Sequence, residues 1–212
     1  EIHLFPQQFT SWVTPFVDDW DAHPDFHIEP QNRWWRLYQD VLKACVERGS
    51  DKWVTAYPDL HSGIDALSAI RGPERLAMDL VTSPDAIRRA MRQMTVLFKY
   101  VVDVTSEIIL PAGQGTSNWT MGWSDKRYLC IGQNDFTGMI GTEMFREFCL
   151  TDSRETAEYV DVSLLHLDGP GMARHLDAFL EIGALNCVQW IQGAGAPPPS
   201  QWIPLLRRIQ DS

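Results

Sequence analysis

Residues 163–171 read S-L-L-H-L-D-G-P-G: an apolar run, then His166 and Asp168, then a glycine-proline turn. The apolar run predicts a buried strand over 162–167. Residues two apart in a strand point to the same face of the sheet, so His166 and Asp168 would leave the strand end side by side. We predict that this pair is catalytic or binds a metal ion. The alternative is a polar strand end whose side chains bond only to the turn that follows.

Three further strands are predicted, at 53–57, within 119–131 and at 187–191, and each precedes a polar or glycine-rich loop. Helical patterns alternate with these strands, as in parallel α/β folds. In such folds the loops at the carboxyl ends of the strands share one edge and carry the functional residues. Four loops on one rim favour a (β/α) barrel over a doubly wound sheet. Because a complete barrel takes about 250 residues, we expect an incomplete one here.

The periodicity of apolar residues predicts the helices, and capping residues mark several of their ends. Helices are predicted over 32–48, over 64–70, from Ser83 onward, and over about 142–159, 172–181 and 201–209. Residues 1–30 are rich in aromatic residues, Pro and Asp without a clear period, so we expect an irregular lead-in there. The whole chain, 1–212, is predicted to form one partial barrel domain.

Charge and cysteine usage narrow the functional classes. The 212 residues include 18 Lys and Arg and 28 Asp and Glu, which gives a formal net charge of −10. Such a chain is a poor partner for nucleic acid, an anionic membrane or a polyanionic substrate. Four dispersed cysteines without a C-x-x-C pair, and no apolar run of 18 residues, predict a cytoplasmic protein. The chain opens on Glu1 rather than Met, so we expect an excised or trimmed domain.

Three blocks of sequence resemble the uroporphyrinogen decarboxylase superfamily, which includes the corrinoid-dependent methyltransferases. They are Y-P-D-L-H-S-G-I-D-A-L-S-A-I-R-G-P (57–73), N-D-F-T-G-M-I-G-T-E-M-F-R-E-F-C-L (134–150) and H-L-D-G-P-G-M-A-R-H-L-D (166–177). The resemblance runs from about residue 30 to the end of the chain. It implies a (β/α)8 TIM-type barrel of which this chain is an internal fragment, with the last units missing.

The resemblance also implies roles for individual residues. Asp59 is in a position similar to the aspartate with which the decarboxylases hold and protonate a pyrrole substrate; otherwise it caps the following helix. His166 and Asp168 match the H-x-C-G zinc ligands of the methyltransferases, with Asp in place of Cys. A His and a carboxylate can still hold zinc in a site that keeps an open position, but activation of a thiol is then in doubt. The third ligand would be His61 or Asp135, or would lie beyond Ser212.

Other polar and aromatic residues on the predicted loops are candidates for substrate binding. They are His61, Trp119, Gln133, Asp135 and Gln189. Four of them have a structural alternative: a solvent-facing turn for His61, core packing for Trp119, and ordinary strand-to-helix turns for Gln133 and Asp135.

Three functions are weighed from these residues. A methyltransferase acting on a small methylated substrate, with zinc and with a corrinoid carried by a partner protein, is preferred. A decarboxylase of a tetrapyrrole or other aromatic acid is the first alternative, but the first 32 residues contain no Lys or Arg to bind a polycarboxylate. A non-catalytic barrel that binds a small molecule is the second. A homodimer stays open, and neither nucleic acid nor a membrane is expected as a partner.

Overall fold

A computed structural model of the chain describes residues 2–5 and 10–212. Strand β1 (Ile2–Phe5) pairs antiparallel with β2 (Thr10–Val13). Residues 1 and 6–9 of the predicted lead-in lie outside the described residues. Within the predicted lead-in, residues 14–30 contain no helix or strand, whereas β1 and β2 are paired with each other. The sequence of β2, T-S-W-V, contains the aromatic and β-branched residue types that favour strands.

The first half of the chain is helical: α1 is Arg33–Gly49, α2 Gly63–Arg71, α3 Pro73–Thr82 and α4 Pro84–Ile109, followed by a 3-10 turn at Leu110–Ala112. Helix α1 begins where predicted because the Asn32 side chain accepts hydrogen bonds from the backbone N–H groups of Trp34 and Trp35. Helices α3 and α4 both start on proline, which suits a first helical turn. Helix α3 was not predicted.

The second half carries the parallel sheet. Its elements are β3 (Tyr128–Cys130), a 3-10 turn (Asp135–Met139), α5 (Thr142–Phe148), α6 (Leu150–Tyr159), β4 (Val162–Asp168), α7 (Gly169–Ala173), α8 (Leu176–Leu180), β5 (Leu185–Ile191), a 3-10 turn (Pro199–Trp202) and α9 (Ile203–Gln210). Two predicted helices, 142–159 and 172–181, are each divided into two shorter ones.

The sheet has the order β3-β4-β5, and both pairs are parallel. Ser163 lies opposite Leu185 and Leu164 lies opposite Cys187, so β5 contains one extra residue, Asn186, as a bulge. The Asn186 side chain accepts a hydrogen bond from the backbone N–H of Ser163 at 2.9 Å. Beyond the bulge the register is regular to the carboxyl ends of both strands.

The predicted (β/α)8 barrel is wrong. A barrel of this kind closes eight parallel strands, and the described residues contain only the three parallel strands β3, β4 and β5. Residues 53–57, predicted as a strand, are in neither a strand nor a helix; the backbone N–H of Tyr57 bonds to the carbonyl of Ser117 at 2.8 Å. Three strands have two edges and cannot close, so the fold is an open parallel sheet covered by helices.

One contiguous core joins the two halves. Side chains from α2, α4, α5, α6 and α8 pack on the sheet residues Leu129, Ile131, Leu165 and Leu167, all at most 2% exposed. Leu165 and Leu167 alternate with Leu164 and His166, which fixes which face of β4 meets the core. Among the described residues, every helix is too short or too polar to cross a lipid bilayer.

Candidate functional site

His166 and Asp168 lie on the same face at the carboxyl end of β4, and Gln189 lies opposite His166 on β5. His166 is 7% exposed, and its Nδ1 is 2.6 Å from Oε1 of Gln189. An amide oxygen only accepts, so Nδ1 carries the proton and donates to it. The lone pair of the imidazole is therefore on Nε2. This fixed orientation is the one that a histidine metal ligand requires.

Asp135 joins this pair from the first position of the 3-10 turn Asp135–Met139. Ligand atoms of Asp135, His166 and Asp168 all lie within 4.8 Å of one another, with both carboxylates exposed to solvent. Burial, with the neighbouring carboxylate of Asp168, raises the pKa of Asp135, although His166 opposes the shift. In the described part of the chain, the Asp168 side chain forms no capping bond to α7. The pair therefore does not match the alternative of a strand end bonded to its own turn.

A second polar group lies beside the first and combines Gln133, which follows β3, with Asp59 and His61 on the loop before α2. Gln133 donates its amide hydrogen to Oδ1 of Asp59 at 2.7 Å, and the other oxygen of Asp59 is 3.3 Å from Nε2 of His61. Burial opposes ionisation of Asp59, but the hydrogen bonds from His61 and Gln133 outweigh it and lower the pKa of Asp59. The same contact with Asp59 raises the pKa of His61. Asp59 is thus an ionised acceptor at neutral pH.

The two groups form one electrostatic unit. Asp59 interacts with His166, and Asp135 interacts with His61, across the space between the loops. Trp119 closes one side, with its ring centroid 4.8 Å from that of His166 in an edge-to-face arrangement. Its side chain is 38% exposed, so one part contacts the histidine while another faces solvent. Trp119 is a wall of the site rather than a core residue.

Two glycines allow close packing around the loop that carries Asp59 and His61. Gly132 has a φ of 90°, and a Cβ there would lie 2.8 Å from Oγ of Ser62. Gly63 has a φ of 52°, and a Cβ there would lie 2.3 Å from Oδ2 of Asp152. Side chains are excluded at both positions by space and by backbone conformation. A larger residue at Gly132 would separate the loop that carries Asp59 from the loop that carries Asp135, whereas a larger residue at Gly63 would displace the start of α2 from Asp152 on α6.

Two buried carboxylates behind the site were not predicted. Asp65 on α2 is 8% exposed and accepts hydrogen bonds from the backbone N–H groups of Asp135 and Phe136, at 3.0 and 2.9 Å. Asp152 on α6 is 5% exposed and accepts a hydrogen bond from the hydroxyl of Thr95. Burial raises the pKa of each to about 6. The available signal was an acidic residue inside an apolar helical stripe, as for Asp65 between Ile64 and Leu67.

A thiol also lies beneath the site. Cys130 is 7% exposed, and its Sγ is 3.4 Å from the carbonyl oxygen of Gly132. Burial, together with the carboxylates of Asp59 and Asp135, raises the pKa of Cys130 to about 12. The Cys130 side chain is therefore a neutral thiol at physiological pH, and it does not replace the cysteine that Asp168 stands for in the resemblance.

The donors suit a divalent cation of the zinc type. Zinc binds imidazole nitrogen and carboxylate oxygen at about 2.0–2.2 Å, and catalytic sites use three protein ligands with the fourth position open. Ligand atoms around a tetrahedral zinc lie roughly 3.4 Å apart. The present separations, within 4.8 Å, need about 1 Å of closure, which two exposed carboxylates can provide by rotation. Asp135 rather than His61 is the third donor of this group.

The structure brings the eight predicted side chains to one edge of the sheet: Asp59, His61, Trp119, Gln133, Asp135, His166, Asp168 and Gln189. Their roles in binding and catalysis stay predictions. No protein-family model, curated protein or solved structure matches the chain.

Proposed function

We propose that this chain is a metal-dependent transferase resembling the corrinoid-dependent methyltransferases of the uroporphyrinogen decarboxylase superfamily. The observation that carries the proposal is the Asp135, His166 and Asp168 group, with His166 held by Gln189 so that Nε2 is free. At a metal site, the ring nitrogen of histidine that does not bind the metal usually donates its N–H to a polar partner. Free cysteines in the described residues agree with a cytoplasmic location, which is part of the same proposal.

Zinc in a site of this type supplies a Lewis acid that lowers the pKa of a bound water or substrate group. The protein side chains have complementary tasks. Gln189 orients His166, and Trp119 limits the approach of water from one side. Asp59, ionised and fixed by Gln133 and His61, offers an acceptor for a hydrogen-bond donor or a positive charge on the substrate.

The proposed substrate is a small methylated molecule. Its methyl group would leave the heteroatom, which keeps the bonding electron pair and takes up a proton, and would pass to the reduced corrinoid of a carrier protein. The corrinoid carrier is proposed from the resemblance alone. Three carboxylates at the site, Asp59, Asp135 and Asp168, oppose an anionic substrate.

Metal analysis of the purified protein tests the proposal. We expect one zinc per chain in the parent protein and its loss in His166→Ala. Asp168→Ala should weaken zinc binding about ten-fold or more, and Asp168→Cys should keep or tighten it, because thiolate is a better zinc ligand than carboxylate. His27→Ala, which removes an exposed histidine paired with Glu29, is the matched control and should bind zinc like the parent.

A parent protein without zinc, or binding that is equal in His166→Ala and the parent, would contradict the metal-dependent function.

The second candidate is a carboxy-lyase, favoured by the ionised Asp59 between Gln133 and His61, where a cationic intermediate could be stabilised. Release of CO2 from an aromatic acid by the metal-free protein, abolished in Asp59→Asn, would support the lyase instead.

A further inference from the structure

Asp65 contacts the backbone on both sides of one candidate ligand. Its Oδ2 accepts from the N–H of Asp135 at 3.0 Å, and its Oδ1 accepts from the N–H of Phe136 at 2.9 Å. These two amides flank the Cα of Asp135, so the contacts fix the peptide planes before and after it. The backbone dihedrals of Asp135, and with them the direction of its Cα–Cβ bond, are thereby determined.

The turn needs such an anchor. Gly132 and Asn134, the residues shortly before Asp135, have positive φ values of 90° and 58°. The Asn134 side chain gives no capping bond to the 3-10 turn that follows. A non-glycine residue in the left-handed region stores strain, which persists only where the surroundings hold the chain in place. Asp65 is in the first turn of α2 and is 8% exposed, so it supplies this hold from a rigid helix.

We infer that Asp65 is a positioning residue that aims the Asp135 carboxylate at His166 and Asp168 by accepting the two backbone N–H groups around Asp135. The inference rests on the metal site of the proposed function. It adds a requirement that the three donors alone do not show. Without the anchor, Asp135 would sample other directions, and zinc would retain only His166 and Asp168 as fixed donors.

The test is a double-mutant cycle on zinc affinity. Asparagine at position 65 keeps the size but offers one acceptor, and its NH2 group would face one of the two backbone N–H groups. Asp65→Asn should weaken zinc binding about ten-fold or more, the scale of losing a partner of a metal ligand. In an Asp135→Ala background the same change should have no further effect, because Asp65 acts through Asp135. A merely structural role would weaken both backgrounds equally and overturns the inference.

Asp152→Asn is the matched control. Asp152 is a similarly buried carboxylate, 5% exposed, but it bonds to Thr95 rather than to the turn that carries Asp135. The zinc affinity of the Asp152→Asn variant should equal that of the parent. Equal losses in Asp65→Asn and Asp152→Asn would contradict the specific role of Asp65.

Amide hydrogen exchange, measured residue by residue by NMR, separates this inference from the proposed function. If the parent protein binds no zinc, the metal-dependent function is wrong. The exchange data then test separately whether Asp65 holds the backbone around Asp135. In Asp65→Asn, exchange at Asp135 and Phe136 should accelerate about ten-fold or more relative to the rest of the sheet edge. Unchanged exchange overturns the inference. If the variant does not fold, parent amides at 135 and 136 that exchange like those of an exposed peptide overturn it equally.

Discussion

The exposed carboxylates at the edge of the sheet and the buried carboxylates behind them have opposite physical situations. Asp59, Asp135 and Asp168 face solvent and have space between them. Asp65 and Asp152 are enclosed by helices, and burial raises the pKa of each to about 6. The comparison shows that negative charge is placed where a cation can reach it, and that the buried carboxyl groups are partly protonated near neutral pH. Three changes test this difference.

The largest expected effect is that Asp152→Asn stabilises the protein at pH 7. The folded-state pKa of about 6 is above the unfolded value, so Asp152 contributes stability below about pH 4 that is lost as pH rises through 6. The loss is about 3 kcal/mol at pH 7, since each pKa unit is worth about 1.4 kcal/mol. Asparagine does not ionise, and its oxygen can still accept from Thr95. Urea unfolding at pH 4 and pH 7 measures the gain.

The gain should shrink strongly at pH 4, where the parent carboxyl group is protonated. Asp161→Asn provides the opposite control, because hydrogen bonds from Arg127 outweigh burial and lower the pKa of Asp161. Asp161→Asn should lower the free energy of unfolding more at pH 7 than at pH 4. A constant difference between Asp152→Asn and the parent at both pH values would show that the buried carboxylate is not the cause.

An intermediate effect is expected from Gln189→Leu. Leucine keeps the bulk but removes the acceptor at 2.6 Å from Nδ1 of His166, so the imidazole loses its fixed tautomer and orientation. Zinc affinity, measured by competition with a chromophoric chelator, should fall about ten-fold. Gln201→Leu, at an exposed position in the 3-10 turn Pro199–Trp202, is the control. Unchanged affinity in Gln189→Leu would mean that His166 is oriented by its packing against Trp119 instead.

The smallest expected effect is a lower pKa of His61 in Asp59→Asn. The hydrogen bond to Asp59 is the main reason that the pKa of His61 is raised, and the more distant Asp65 and Asp135 also contribute. An NMR titration of the histidine ring protons measures the shift. His27, which pairs with Glu29 far from the site, should titrate as in the parent and is the internal reference. An unchanged pKa of His61 would mean that Asp65 and Asp135, rather than Asp59, raise the pKa of His61.

The sequence predicted the local elements of this molecule better than their pairing. The strands predicted at 162–167 and 187–191 correspond to β4 and β5, because short apolar runs are typical of buried strands. The segment 53–57 (W-V-T-A-Y) is also rich in aromatic and β-branched residues, yet strand pairing depends on distant partners that periodicity does not encode. The barrel was predicted by extending a local pattern to a closed sheet.

The candidate site shows the same division. His166, Asp168 and Asp135 were placed together because polar loops that follow parallel strands share one edge. Asp59 lies with them although the strand predicted before it is absent, because Gln133 donates a hydrogen bond to its carboxylate. Asp65 was missed because its value lies in two backbone contacts seventy residues away, Asp135 and Phe136, which no spacing in the sequence indicates. Candidate ligand residues can be predicted from their chemistry, whereas residues that position them can be identified only in the folded structure.

The single extra residue in β5 governs the chemistry of His166. Asn186 is inserted opposite the step from Ser163 to Leu164, and the register after it places Gln189 beside His166. If Asn186 paired with Leu164 in a regular ladder instead of forming the bulge, β5 would shift by one position and Val188 would lie beside His166 in place of Gln189. A valine side chain has no oxygen to accept the hydrogen bond from Nδ1, so the imidazole would be free to exchange its two tautomers. In this protein the register of β5 against β4 determines which nitrogen of the His166 ring carries the proton.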